Sequence, residues 1–161
     1  MDGMARAYLA AFRRSDMFVG FFTRGLEGED WYARPAGVPN TAIWTLGHLA
    51  YHRSLFLELL TGEKTCPETW REWFDMGCTP LPDPHGYPDV DTCREHLKRL
   101  FEKIEAYLEG ATEQGLAEPL HRASRFLANK SDVLAHMVAH EAHHTGNLAL
   151  LRRLLGKEKV V

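Results

Sequence analysis

Wound as a helix, residues 41–60 are apolar almost all the way round, from Ile43, Trp44 and Leu46 through Tyr51, Leu55 and Phe56 to Leu59 and Leu60. A helix of that kind has to be enclosed by others. Three further segments can enclose it. Residues 4–26 carry Ala5, Tyr8, Phe12, Val19, Phe22 and Leu26 on a 3–4 spacing, with Arg6, Arg13, Arg14 and Asp16 largely off the stripe. Residues 90–110 place Val90, Cys93, Leu97, Leu100, Ile104 and Tyr107 on one side and a charged face on the other, and residues 132–155 repeat the pattern. No stretch alternates as a half-buried strand does. The expected fold is all-α, a single four-helix-bundle domain over residues 1–161.

The punctuation agrees. Gly25, Gly28 and the segment Arg34-Pro35-Ala36-Gly37-Val38-Pro39 end the first helix, Asn40 is placed to cap the second, and Thr61-Gly62 closes it. A long connection follows, with prolines at 67, 80, 82, 84 and 88 and room for one short helix over 68–76. Connections of that length are usually functional or cross over a fold. Asp89 or Asp91 can cap the third helix, Gly110 ends it, and Ser131 is expected to cap the fourth.

Composition excludes several functions. A domain of 161 residues buries enough surface to fold without disulfides or a structural metal, so a metal here would serve function first. A net charge of −3 offers no grip on nucleic acid or an anionic membrane. No apolar run approaches a membrane span, and the N-terminal segment carries no small-residue cleavage site, so a cytoplasmic protein is expected. Cys66, Cys78 and Cys93 include no CxxC pair and read as free thiols.

Nine histidines are present, four of them between positions 136 and 144. His140 and His144 interrupt the stripe formed by Val133, Met137, Leu148, Leu151 and Leu155. Residues four apart on a helix differ by about 40° and rise about 6 Å, so two such imidazoles can converge on one ion. His48 lies in the stripe of Trp44, Tyr51 and Leu55 on the second helix, with His52 one turn further on. Helices packed 8–10 Å apart would let His48 meet the pair. Three neutral imidazoles make a divalent-cation site with positions left open, which is catalytic in character. The alternative, a polar core network, would need partners for buried imidazoles that the sequence does not identify. His85, His96 and His121 are expected at or near the surface. His140-Glu141-Ala142-His143-His144 also spells the H-E-x-x-H pattern of zinc proteases, but no histidine follows it and no strand is present to align a peptide.

The opening of the second helix, Asn40-Thr41-Ala42-Ile43-Trp44-Thr45-Leu46-Gly47-His48-Leu49, and the segment from His136 through His140, His144 and Gly146 to Asn147 resemble the DinB/YfiT-like superfamily. Length and helix plan match over essentially the whole chain. The letters match in these two helices, and Asn147 stands where relatives often have Gln. The resemblance implies an up-down-down-up bundle, with the long connection between helices 2 and 3 as its crossover. It also implies a metal triad of one histidine on the second helix and an H-x-x-x-H pair on the fourth, here His48, His140 and His144. Characterised members include transferases and isomerases that use a low-molecular-weight thiol, and some are proposed metal-dependent hydrolases. The implied protein binds Zn²⁺ or Ni²⁺, acts on a small-molecule substrate as a thiol S-transferase or hydrolase, and forms a homodimer. Glu141 or His136 would handle protons or support the ligands. A non-catalytic metal-binding stress protein and a helical dimerisation module are the competing classes.

Overall fold

A computed structural model describes residues 3–35 and 37–160. Among them the protein is all-helical: α1 (Gly3–Thr23), α2 (Ala42–Thr61), α3 (Thr69–Phe74), α4 (Val90–Gly110), α5 (Glu113–Leu116) and α6 (Lys130–Leu154), with short 3-10 turns at Gly28–Trp31 and Pro84–Gly86. The four long helices carry the core. α1 packs against α4 and α6, and α2 packs against the same two.

Local chemistry sets the boundaries. Thr41, rather than Asn40, caps α2, its hydroxyl accepting from the Trp44 N–H at 3.2 Å. Gly62 ends that helix at φ 80°, a left-handed position where a Cβ is strained. The expected short helix forms as α3, and Asp89 caps α4. α6 starts earlier than expected. Asn129 caps it by accepting from the Asp132 N–H at 2.9 Å, while the Asp132 carboxylate accepts from the Ala128 N–H. Ser131, the expected cap, instead pairs its hydroxyl with that of Tyr8. α1 is rotated slightly from the expected stripe: Leu9 is buried where Tyr8 and Phe22 are only half-buried.

The core has two apolar halves. One gathers Trp44, Leu46, Leu49, Phe74, Leu148 and Leu151, and the other Leu9, Phe12, Phe56, Leu100, Val133 and Met137. Along α2 the residues between Trp44 and Phe56, and along α6 those between Met137 and Leu148, include His48, His52, Arg53, His140, Glu141 and His144. The protein therefore has a largely buried polar layer between its two apolar halves.

Candidate metal centre

α2 contributes two imidazoles one turn apart, His48 (5% exposed) and His52 (8%). α6 answers with His140, half-buried, and His144 (9%). The rings of His48 and His140 lie 5.0 Å apart between centroids. His52 is 4.3 Å from His48 and 4.4 Å from His140. His144 is 4.4 Å from His48 and 4.6 Å from His140. The His48–His140 pair is thus an edge shared by two triangles, one completed by His52 and the other by His144.

Hydrogen bonding fixes the tautomer at the centre of this edge. His48 Nδ1 lies 2.7 Å from the Phe74 carbonyl oxygen, which can only accept, so Nδ1 carries the proton and Nε2 keeps its lone pair. That Nε2 faces His140 Nε2 at 3.0 Å. A backbone carbonyl orienting the far nitrogen of an imidazole is the usual support for a metal ligand. It comes from the last residue of α3, whose ring lies on Gly47: a Cβ there would fall 2.3 Å from the Phe74 Cζ. Trp44 stacks on the His48 ring itself, with centroids 4.5 Å apart and planes 21° from parallel.

Several of these nitrogens have nothing to bond. His52 Nε2, His140 Nδ1 and His144 Nδ1 are buried without a hydrogen-bond partner. One nitrogen each from His48, His52 and His140 can be chosen so that all three lie within 4.8 Å of one another. Burial is the main reason that all four imidazoles lose their protons easily, with neighbouring histidines adding to the effect. It pulls His48 down to about 4, His52 and His144 to about 3, and His140 to about 2. At neutral pH the cluster is uncharged and presents lone pairs.

The donor set fits a divalent ion. Two nitrogens bound to one Zn²⁺ at 2.0–2.1 Å, with an angle between about 90° and 110°, stand about 2.9–3.4 Å apart, and His48 and His140 stand at 3.0 Å. Orphaned buried polar atoms are rare in native proteins, and two of those here belong to the His52 and His144 rings packed on that pair.

The other expected contributors are placed elsewhere. Glu141 is 1% exposed and gives both carboxylate oxygens to the Arg53 guanidinium, at 2.7 and 3.0 Å. Both oxygens are directed to Arg53 rather than to the histidines, which is not the placement that the zinc-protease pattern needs for its general base. His136 is exposed, its ring 6.1 Å from that of His140, and His143 is exposed beside Asn147. His96 is a correction: it is 8% exposed, held between the Ser54 hydroxyl at 3.3 Å and the Arg99 guanidinium at 2.9 Å. His85 is exposed and stacks on Tyr32, and His121 is exposed. Burial raises all three thiols, Cys66 to about 11 and Cys93 to about 12, which keeps them protonated at neutral pH. Sequence reasoning gave no role to His52, Arg53 or the Phe74 carbonyl. The signal for His52 was present, since it repeats on α2 the four-residue spacing of His140 and His144.

A family model described as the DinB superfamily matches residues 13–148, well over half of the chain. The chain belongs to the DinB superfamily. Its matched region contains the whole histidine cluster and the Arg53–Glu141 pair. A search of curated proteins returned no match. For this DinB-superfamily chain no helix among the described residues is long and apolar enough to cross a membrane.

Proposed function

We propose that this protein is a metal-dependent enzyme acting on a small molecule, in the thiol S-transferase or hydrolase class, with Zn²⁺ or Ni²⁺ held by His48, His140 and His144. The observation that carries the proposal is the convergence of four neutral imidazoles from α2 and α6, three of which have a buried nitrogen with no hydrogen-bond partner. When bound, the ion would lower the pKa of a coordinated water toward ~7 or hold a low-molecular-weight thiol as its thiolate. The protein's own part is to orient and to exclude water. Phe74 holds the His48 ring through Nδ1, Trp44 and Phe56 close the cluster along α2, and no carboxylate ligates.

A second ligand set is favoured by one observation: the nitrogen of His52 lies within 4.8 Å of those of His48 and His140. The triad is then His48, His52 and His140. The two sets are separated by zinc titration of His52→Ala and His144→Ala. The first set predicts that His144→Ala loses the ion and His52→Ala keeps it, and the second predicts the reverse.

A cleft of about 340 Å³ next to Trp44 suits a small-molecule substrate. Tyr32, Asn40, Leu81 and Tyr87 line it together with Arg34, whose guanidinium makes no ion pair among the described residues. A substrate with an anionic group fits that lining. We also propose the up-down-down-up bundle with the 62–89 connection as its crossover, a cytoplasmic location, no nucleic-acid or membrane partner, and a homodimer. The packing of α1 and α2 each against α4 and α6 supports the bundle. The test of function is turnover of simple esters and of thiol-acceptor pairs by the zinc- and nickel-loaded protein. If no rate falls on His144→Ala or His52→Ala, the enzyme proposal is wrong.

A further inference from the structure

Arg53 has no solvent exposure, yet it carries a charge through the middle of the protein. Its guanidinium reaches all the long helices from α2. Nε and Nη2 donate to the two oxygens of Glu141 on α6 at 2.7 and 3.0 Å. Nη1 donates to Asp16 on α1 at 2.7 Å and to the Leu97 carbonyl on α4 at 3.4 Å. The plane lies over the Phe12 ring, 4.8 Å from its centroid. The two fully buried members are sequence neighbours of candidate ligands: Arg53 follows His52, and Glu141 follows His140.

We propose that Arg53 and Glu141 are positioning residues for the metal centre, fixing the axial register of α6 against α2 so that the imidazoles of the two helices meet. This rests on the metal reading of the histidines. The hydrophobic contacts around the polar layer are non-directional and by themselves favour no single height of α6 against α2. A bidentate fork does, since its two parallel N–H···O bonds hold a carboxylate at one height and angle. The helix rises 1.5 Å per residue, and ligand distances are held to about 0.2 Å, so a slip of a small fraction of one residue spoils a shared site. A buried ion pair is also a costly way to gain stability, because well-packed apolar residues of the same size do as well or better. Placed one residue from each half of the ligand set, the pair supplies the register that such residues would leave loose.

The experiment uses the full chain. Arg53→Met/Glu141→Leu replaces both partners with apolar groups, and Arg53→Lys keeps the charge but loses the fork. Leu108→Ala, at a fully buried site in the other part of the core, serves as the control for lost stability alone. Each is followed by thermal melting, by zinc titration of the metal-free protein, and by a crystal structure of the metal-free double variant. The expected result is a folded double variant and a folded Arg53→Lys protein, each binding zinc 10–100-fold more weakly than the parent. The His48–His140 nitrogen separation should open beyond hydrogen-bond reach, and Leu108→Ala should keep the parent affinity. Parent affinity in any folded Arg53 variant overturns the proposal, as does an equal loss in Leu108→Ala. If the double variant fails to fold, Arg53→Lys decides on the same affinity criterion. If the parent protein binds no zinc, the metal reading fails, and the register claim is decided by the double variant's structure: an unchanged 3.0 Å separation refutes it.

Discussion

Gly47→Ala tests the support of His48 from an unusual direction, because two effects of opposite sign compete there. In an open helical position alanine is better than glycine by up to about 1 kcal/mol. Gly47 is not open. A Cβ would meet the Phe74 ring at 2.3, 2.5 and 2.8 Å from three of its carbons, where ordinary contact begins near 3.4 Å. Phe74 must therefore retreat by roughly 1 Å. It is fully buried, with the Trp70 and Tyr87 rings each 5.3 Å away, so its neighbours resist. Overpacking of this kind costs about 1–3 kcal/mol, which outweighs the helix gain. The net loss is about 1–2 kcal/mol, or a fall in melting temperature of roughly 2–8 °C for a chain of this size. The retreat also carries the Phe74 carbonyl away from His48 Nδ1, now at 2.7 Å. Loss of such a support weakens metal binding by about 10–100-fold. Thermal melting with and without zinc, together with zinc titration, measures both effects. A melting temperature equal to or above the parent's, with unchanged zinc affinity, would refute the account of how α3 is docked on α2.

Other perturbations have definite signs. The metal-free protein should lose stability as pH falls from about 6.5 toward 4. His48, His52 and His144 titrate well below 6.5 when folded, so the unfolded chain takes up more protons across that window. Each contributes up to about 1.4 kcal/mol per pH unit, and urea midpoints that stay flat from pH 7 to 5 would contradict this. Arg53→Met alone leaves Glu141 charged, buried and unpaired, and should cost about 3–5 kcal/mol, far more than the double replacement. Equal costs in the single and double variants, by denaturant unfolding, would show that the pair is not coupled. Arg34→Ala, at an exposed position, should leave the melting temperature within about 1–2 °C of the parent's. It should also raise KM for an anionic substrate with little change in kcat, and an unchanged KM would remove Arg34 from substrate binding.

Much of the plan was legible because periodicity reports burial directly. The all-round apolar character of residues 41–60 required an enclosed helix, and α2 is enclosed. The inward placement of His48 and His144 followed from the same rule. Caps were less legible, because Asn40 against Thr41 and Asn129 against Ser131 are chemically interchangeable candidates a residue or two apart. The Arg53–Glu141 pair was hidden for a different reason. Its partners are 88 residues apart, and a carboxylate at 1% exposure looks in sequence like one at the surface. His96 was misplaced by the same logic, since the Ser54 and Arg99 side chains that make its burial tolerable lie on the facing helix and the next turn of its own. The Phe74 carbonyl belongs to the backbone, so no residue letter announces it.

Metal content decides whether the histidine cluster holds a divalent ion. The purified protein is stripped with chelator, dialysed against zinc or nickel, freed of excess ion, and assayed for bound metal beside His48→Ala and His140→Ala. About one ion per chain is expected in the parent and almost none in either variant, because both triads share these two residues. A parent without metal, or variants that retain it in full, would show that these histidines hold no ion.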